Sequence, residues 1–431
     1  MTSGHPFFCR GILELPVYEF AKSDIRNRQT RLRPYDPTTG FTGSAASQAL
    51  NQLRFSRWNL FHAATKAELM RDVPITELYV NVLCDLLRYR RLFSKQQGNL
   101  RLRDGGADAY KDHVRSYLAG KFGEAAAHLF MQDRGYVFWD HIESLATRAL
   151  QYGKRAQSAS VRAKISMHKT GRLKGQHPDF VFEKANRAVA ITESKGAFAE
   201  RGRGSRIKGL LQKGLAQLDN CPVVFTPPAA NSYAIATVLR QESDAGKEPS
   251  LVAFADPVGD GGRQDKSELP HDWIRRGNYA AWLKGMGFWQ QAEALASKQQ
   301  IADPRERLLH ALRLGGHTYA IVIYVIEPSS NYALLSRIPS VPGEELIWPH
   351  GVSPCRVFVL GIEETVLRRI EQVLTAPDRT FLEDEGIPEH FETSSPESEI
   401  VIGSILRDGT LLGELLYPPR LSAMEKVRFR F

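Results

Sequence analysis

Two carboxylates and one amine stand close together near the middle of the chain. They are Asp179, which follows His177 and Pro178, and the pair Glu193 and Lys195. Carboxylate oxygens suit Mg²⁺, an ion that keeps several waters and binds together with substrate phosphates. Such a metal polarises a phosphodiester and generates hydroxide, while a lysine positions the water or steadies the developing charge. These residue types at this spacing predict metal-assisted phosphodiester hydrolysis.

Two short strands must bring these side chains together. The sequence predicts strands at 180–183 and 188–192, joined by a turn in which we expect Asn186 to take a positive φ angle. Residues two apart in a strand share a face, so Glu193 and Lys195 project together. Pairing through the turn brings Asp179 beside Glu193. The backbone carbonyl of Ser194 is a further candidate metal ligand.

Helices and strands alternate around this hairpin. The apolar spacing predicts a helix at 121–134, an aromatic strand at 136–139, a helix at 207–218 and a buried strand at 222–225. The resulting order is helix, three strands, helix, strand. This order predicts an α/β core with a mixed sheet.

The segments Pro178-Asp179 and Glu193-Ser194-Lys195 resemble the motif of the PD-(D/E)XK nuclease superfamily. The resemblance covers about residues 112–230. It implies a restriction endonuclease-like core, in which helices flank a mixed β-sheet. It also implies a Mg²⁺-dependent endonuclease, with Mn²⁺ expected to substitute for Mg²⁺.

The resemblance implies a role for each motif residue. Asp179 and Glu193 ligate the metal, and Lys195 activates water. Glu124, on the helix before the sheet, corresponds to an additional acidic residue that is common in the superfamily, and it joins the catalytic and metal-binding set. Some branches add a glutamine on the helix after the motif. The accessory candidates are therefore His177, Gln212 and Gln217.

Basic residues surround the motif. The chain has 57 Lys and Arg against 48 Asp and Glu, a formal net charge of +9, which favours a polyanionic partner. Residues 144–178 contain eight basic and no acidic residues. Each of these basic residues either contacts a phosphate or simply lies in a mobile charged loop. The candidate nucleic-acid contacts are Arg162, Lys164, Lys169, Arg172, Lys174, Arg201, Arg203, Arg206 and Lys208.

The flanking regions differ from the core in composition. We expect an N-terminal arm (1–45), a helical domain (46–111), the nuclease-like core (112–256), a linker and helical segment (257–300) and a separable C-terminal α+β domain of unknown role (301–431). In that last domain a hairpin is expected to turn at Arg407-Asp408-Gly409. Residues 376–399 carry eight acids and one arginine. This acidic segment predicts a solvated linker, with nucleic-acid mimicry or contact with a basic partner as alternatives.

Other functional classes find little support in the sequence. There is no secretory signal, no long apolar segment, no Walker motif, no HExxH and no GxSxG. The four cysteines lie far apart, as is usual for a cytoplasmic protein. We therefore expect a cytoplasmic DNA endonuclease, acting without a membrane in bacterial restriction or anti-phage defence, with double-stranded DNA and a homodimer or partner subunits as partners. The alternatives are a non-catalytic nucleic-acid-binding subunit of a defence, repair or transposition complex, and a repair or transposition nuclease.

Overall fold

The structure is a computed structural model of the 431-residue chain. The residues that it describes are 11–27, 29, 35–36, 40–41, 48–49, 52–70, 89, 91–155, 177–199, 206–220, 229, 231–244, 248–256, 272–301, 303–328, 333–338, 356–376, 401–416 and 424–431. The helices in these ranges are α1 (Lys22–Arg26), α2 (Arg57–Leu69), α3 (Asp112–Asp133), α4 (Ile142–Arg155), α5 (Ile207–Asp219), α6 (Trp273–Gly285), α7 (Trp289–Ala296) and α8 (Glu364–Thr375).

The strands divide between the two halves of the chain. Those of the N-terminal half are β1 (Ile12–Leu15), β2 (Val17–Glu19), β3 (Tyr35–Asp36), β4 (Gly40–Phe41), β5 (Gln48–Ala49), β6 (Leu53–Ser56), β7 (Gly98–Asn99), β8 (Tyr136–His141), β9 (Phe180–Lys184), β10 (Val189–Phe198), β11 (Asn231–Leu239) and β12 (Leu251–Ala255). Those of the C-terminal half are β13 (Glu306–Leu314), β14 (His317–Pro328), β15 (Ala333–Ile338), β16 (Arg356–Glu363), β17 (Val401–Ile405), β18 (Thr410–Leu415) and β19 (Lys426–Arg430).

The first large sheet has seven strands in the order β5-β2-β12-β11-β10-β9-β8. β8, β9 and β10 are antiparallel neighbours, and β11 runs parallel to β10 after α5. The predicted order of helix, three strands, helix and strand is present with one difference, because α4, which was not predicted, lies between β8 and β9. The predicted strand at 222–225 lies outside the described residues, and the strand that follows α5 within them is β11.

Helix α3 packs unusually close to β10. A Cβ atom at Gly196 would overlap the backbone carbonyl of Ala119, and a Cβ atom at Gly123 would lie 2.7 Å from the Cα of Gly196. Glycine is required at both positions because only a residue without a Cβ permits this approach. The two glycines thus set the distance between the helix and the strand.

The second large sheet contains β17-β18-β16-β14-β13-β19, with β15 also paired to β14, and all its neighbours are antiparallel. α8 packs against β14 and β16. The Glu363 carboxylate caps this helix by accepting the backbone N–H of Thr365 at 2.7 Å and of Val366 at 3.1 Å. These contacts satisfy backbone donors that would otherwise have no partner at the helix start.

Helices α2 and α6 connect the two large sheets. Nearly every residue of both helices is buried, as expected for helices that are packed on all sides. Trp282 of α6 donates to the carbonyl of Gly361 at 2.8 Å, and Asn278 accepts the N–H of Trp139 at 3.4 Å. One apolar core cluster runs from Leu13 to Phe431. The C-terminal region, expected to be separable, is therefore packed into the same core.

The N-terminal region also differs from the expectation of an arm. Two short strands, β1 and β2, lie within the residues expected to form the arm. β2 pairs with β12, so residues of the expected arm belong to the first large sheet, and β5 of the next region pairs with β2. Between 46 and 111, expected to be helical, the described residues contain β5, β6, α2 and β7.

The turn between β9 and β10 has one difference from its prediction. Arg187, rather than Asn186, takes the positive φ angle, at 69°. The side chain of Asn186 instead accepts the N–H of Ala188 at 3.2 Å, which closes the turn by a local hydrogen bond.

Within the described residues, no helix is long and apolar enough to cross a bilayer.

Candidate active site at the end of strands β9 and β10

Strands β9 and β10 bring the predicted carboxylates together where their ladder ends, at the start of β9. β10 itself continues to Phe198 beside β11, so Glu193 lies within this strand and not after its end, as its predicted range implied. The ladder between β9 and β10 pairs Thr192 with Phe180, so the next residues, Glu193 and Asp179, face each other where the ladder ends. Opposed residues of an antiparallel pair project to the same face. Lys195 is two residues beyond Glu193 and shares that face. The expected convergence of the three side chains is therefore present.

Hydrogen bonds cross between the two strands at this point. The N–H of Asp179 donates to Glu193 Oε2 at 2.9 Å, and the N–H of Ser194 donates to Asp179 Oδ2 at 3.2 Å. The ammonium of Lys195 donates to Glu193 Oε1 and forms an ion pair with it. Each carboxylate is thus held by the backbone of the opposite strand. Such support fixes the geometry of a site in advance.

Burial decides the electrostatics of the cluster. The Glu193 side chain is fully buried, whereas 25% of the Lys195 side chain is exposed, so the cluster opens to solvent at the lysine. Burial and the neighbouring Asp179 carboxylate raise the pKa of Glu193 to about 8, against the opposing effect of Lys195. Strongly shifted carboxylates beside a charged partner are typical of functional sites.

The donor atoms fit a divalent cation that has few protein ligands. Asp179 and Glu193 supply carboxylate oxygens, and the Ser194 carbonyl points to the same side of β10 as its N–H, toward Asp179. Mg²⁺ commonly uses one or two carboxylates and completes its shell with water and phosphate oxygens. A cation would also relieve the repulsion that raises the pKa of Glu193. Across the described ranges, no group of three or more His, Cys, Asp or Glu side chains is placed to hold a metal.

Helices α3 and α5 pack on opposite faces of β10. Gly196 faces α3, so Glu193 and Lys195 project to the face that α5 covers. A Cβ atom at Gly214 of α5 would lie 3.5 Å from the Cγ of Glu193. That distance is an ordinary van der Waals contact, whereas the Cβ of Ala234 on β11 would be only 3.1 Å away, so Gly214 chiefly permits the approach of α5 to β11. Gly214 was not among the residues predicted from the sequence, although a glycine inside an amphipathic helix is a recognisable signal.

Glu124 lies partly exposed on α3, on the side of that helix that faces β8. His128, one turn further along the same side, stacks on Trp139 of β8 with ring centroids 4.0 Å apart. Glu124 is one turn closer to the start of the helix, next to Gly123, whose backbone contacts Gly196. The assigned role of Glu124 in binding a metal stays a prediction.

The structure separates the accessory candidates. Gln217 of α5 donates to the backbone carbonyl of His177 at 3.1 Å and so holds the segment that leads into Asp179. The imidazole of His177 contacts a carbonyl within its own turn. Gln212 instead donates to the carbonyl of Ile25 at 2.7 Å, which ties α5 to α1. Gln217 belongs to the surroundings of the site, whereas Gln212 contributes to the packing of the N-terminal region.

Most of the predicted nucleic-acid contacts fall in ranges that the structure does not describe. Those outside are Arg162, Lys164, Lys169, Arg172, Lys174, Arg201 and Arg203. Arg206 is exposed at the residue before α5. Lys208 donates to the carbonyl of Asn27, and Arg26 pairs with Asp219 at 2.6 and 2.7 Å. Lys208 is thus engaged by the N-terminal region, which packs across α5.

No protein-family model, no curated protein and no solved structure matches the chain. The contacts of Asp179, Glu193 and Lys195 therefore carry the functional inference.

Proposed function

We propose that the chain is a metal-dependent nuclease that hydrolyses phosphodiester bonds of DNA where the ladder between β9 and β10 ends. The observation that carries this proposal is the buried Glu193 carboxylate, held by the backbone of Asp179 and the ammonium of Lys195. A buried carboxylate with a raised pKa beside a second carboxylate costs stability unless a cation is bound. The arrangement is suited to binding a cation.

The order of elements around the site supports this proposal. α3, β8, α4, β9, β10, α5 and β11 follow one another, which is the order helix, three strands, helix, strand with α4 inserted between β8 and β9. The motif residues lie on two adjacent strands of a mixed sheet, with a helix on each face. This is the arrangement that the resemblance to the PD-(D/E)XK nuclease superfamily implies. Membership in that superfamily remains part of the proposal.

Each residue of the cluster has a distinct part in the proposed reaction. When bound, Mg²⁺ polarises the scissile phosphate and lowers the pKa of a water molecule. Asp179, Glu193 and the Ser194 carbonyl would hold it. Lys195 reaches solvent on the same face, so its ammonium is placed to orient the attacking water or to stabilise charge that develops on the phosphate. α5 covers Glu193 and excludes water from it, which strengthens these electrostatic interactions.

The charge of the chain supports DNA as the substrate. The net charge of +9 and the acid-free stretch 144–178 favour a polyanion. We propose double-stranded DNA as the substrate and bacterial restriction or anti-phage defence, in the cytoplasm, as the setting. A homodimer or partner subunits would supply a second site for cutting both strands.

A cleavage assay with matched lysine variants tests the proposal. Purified full-length protein is incubated with plasmid, linear or single-stranded DNA in Mg²⁺, Mn²⁺ or EDTA. We expect cleavage with either metal and none in EDTA. Lys195→Ala should abolish cleavage and retain DNA binding, because one lysine contributes little to affinity that is spread over many cations.

The control variant in this assay is Lys184→Ala. Lys184 lies at the opposite end of β9 and packs over the ring of Tyr136, 4.8 Å from its centroid. It is a lysine of the same hairpin outside the carboxylate cluster, so cleavage should persist in this variant. Full cleavage by Lys195→Ala, with contamination excluded, would refute the active-site assignment.

One observation favours a second candidate function, nucleic-acid binding without cleavage. Both oxygens of Glu193 already accept hydrogen bonds, Oε1 from Lys195 and Oε2 from the N–H of Asp179. A site locked in this state would bind DNA through its basic residues alone. Salt-dependent DNA binding by a wild-type protein that cuts with neither metal would favour this second function.

A further inference from the structure

Three hydrogen bonds fix Asp179, and one of them comes from outside the motif. Its N–H donates to Glu193, and its carboxylate accepts from Ser194. Its backbone carbonyl accepts the N–H of Ile142 at 3.0 Å. Ile142 is the first residue of α4. The start of α4 is therefore hydrogen-bonded to the backbone of Asp179.

A buried ion pair joins β8 to α4. Asp140 of β8 pairs with Arg148, in the second turn of α4, and also accepts the N–H of His141 at 2.8 Å. The Asp140 side chain is buried, and 15% of the Arg148 side chain is exposed. A Cβ atom at Gly277 of α6 would overlap both charged groups. The pair is thus enclosed by β8, α4 and α6.

Asp140 lies on the same face of the sheet as the carboxylate cluster. It is opposite Val181 in the ladder between β8 and β9. Val181 is two residues from Asp179, so both project to that face. Diagonal neighbours of an antiparallel pair are about 7–8 Å apart. The ion pair therefore stands one strand away from the proposed metal ligands.

We propose that Asp140 and Arg148 are positioning residues for Asp179, because they hold α4 so that the Ile142 N–H meets the Asp179 carbonyl. This inference rests on the proposed function, since it assigns the pair to the same site. Buried ion pairs are poor stabilisers, and well-packed apolar residues often replace them without loss. The pair instead gives α4 a defined direction, as the residues that support metal ligands commonly do.

A second buried ion pair provides a matched control. Glu183 and Arg275 are both almost fully buried, with 2.9 Å between nitrogen and oxygen, and join the same face of the sheet to α6. Glu183 lies on β9 at the end far from Asp179. The test compares Asp140→Asn and Arg148→Gln with Glu183→Gln and Arg275→Gln in the full chain. Arg148→Lys, which retains the charge, is the milder variant if Arg148→Gln does not fold.

Two readouts that do not depend on cleavage separate positioning from stability. The first is Mn²⁺ binding by calorimetry without DNA, in which we expect Asp140→Asn and Arg148→Gln to weaken affinity by about 10- to 100-fold. The second is amide hydrogen exchange at Ile142, which should become faster in these variants. Glu183→Gln and Arg275→Gln should lower the melting temperature and leave both readouts unchanged. Arg148→Lys should restore part of the Mn²⁺ affinity.

The outcomes distinguish this inference from the proposed function. Equal losses of Mn²⁺ affinity in the two pairs, or unchanged exchange at Ile142 in Arg148→Gln, would overturn the positioning role. A wild-type protein that neither binds Mn²⁺ nor cuts DNA would refute the nuclease. In that case exchange at Ile142 would still decide whether the Asp140 pair holds Asp179.

Discussion

Two lysine–carboxylate pairs of the protein differ in how deeply the lysine is buried. Lys66 of α2 and Asp408, in the turn between β17 and β18, are both completely buried. In the pair of Lys195 and Glu193, the lysine is open to solvent. The first pair joins the two halves of the chain, whereas the second joins neighbouring residues of one strand. We refer to them as the closed pair and the open pair.

Asp408 of the closed pair has several hydrogen-bond partners besides Lys66, whose own pKa is lowered by burial against the opposing effect of Asp408. Asp408 also accepts from Asn278 of α6 and from the Thr410 hydroxyl, each at 2.7 Å, and its backbone carbonyl accepts from the Tyr279 hydroxyl at 3.0 Å. Burial alone would raise the pKa of Asp408, but Lys66 and these hydrogen bonds lower it to about 2. The charged form of Asp408 is therefore the favoured one in the folded protein.

In the open pair, by contrast, the folded protein disfavours the charged form of the carboxylate. Burial and the Asp179 carboxylate outweigh Lys195, so the pKa of Glu193 rises to about 8. Its charge is incompletely stabilised by the protein itself, and a bound cation would supply the rest. Asp408 thus has the partners that its charge requires, as expected of a pair that holds the fold. A deficit of positive charge around Glu193 is what the proposed cation site requires.

The largest expected effect is a loss of cleavage when the Glu193 carboxylate of the open pair is replaced by an amide. Glu193→Gln should reduce cleavage by about 10³-fold or more, while the free energy of unfolding changes by less than about 1 kcal/mol, since the amide keeps a hydrogen-bond acceptor in place of a disfavoured charge. Cleavage rate and urea unfolding measure the two effects. Glu183→Gln, which alters another buried glutamate of the hairpin, is the control and should retain cleavage.

The next largest effect is on stability, from breaking the closed pair. Lys66→Ala should lower the free energy of unfolding by about 3–5 kcal/mol, because it leaves a buried carboxylate without its partner. Arg313→Ala is the matched control: its pair with Glu425 has a similar chemistry at 2.9 Å but is largely exposed, so less than about 1 kcal/mol should be lost. Urea unfolding of both variants decides the comparison. Similar losses would mean that burial of the closed pair does not matter.

The two pairs should respond to pH with opposite signs. Folding raises the pKa of Glu193 from 4.5 to about 8, so its stabilising contribution is complete below pH 4.5 and is lost as pH rises through 8. Folding lowers the pKa of Asp408 from 3.8 to about 2, so its contribution is present above pH 3.8 and is lost as pH falls through 2. Unfolding of Glu193→Gln measured between pH 5 and 8 should show a shallower decline than wild type. An unchanged slope would contradict the shifted pKa of Glu193.

Local patterns explain how much of the fold could be predicted. β9, β10 and α5 follow from short apolar alternation, turn residues and helical spacing within one segment of chain. The pairing of β2 with β12 could not be predicted, since it joins Val17 to Val252 and leaves no local trace. The same applies to the C-terminal sheet, whose packing on α2 and α6 is a matter of complementary shape over long separations.

The candidate site and the closed pair differ in the same way, because the first is formed by residues close in sequence and the second by residues far apart. Asp179, Glu193 and Lys195 could be found because one hairpin joins them and their spacing fixes the shared face. Asp408 could not, because Arg407-Asp408-Gly409 has the composition of an exposed turn. Its burial depends on Lys66, 342 positions away in sequence. A turn acid and a helix lysine become a structural pair only through packing.

The smallest expected effect on cleavage comes from Gln217 of α5. It tests whether a hydrogen bond from this helix supports the open pair. Gln217→Ala removes the hydrogen bond to the His177 carbonyl and frees the segment that leads into Asp179. We expect cleavage to fall about fivefold, the rate equivalent of ~1 kcal/mol. Gln212→Ala removes a bond of the same type to Ile25, so it should cost a similar ~1 kcal/mol of stability and leave cleavage unchanged. Cleavage kinetics and urea unfolding of both variants make the comparison. If the two variants lose cleavage equally, the stability of α5, rather than the bond to His177, controls the site.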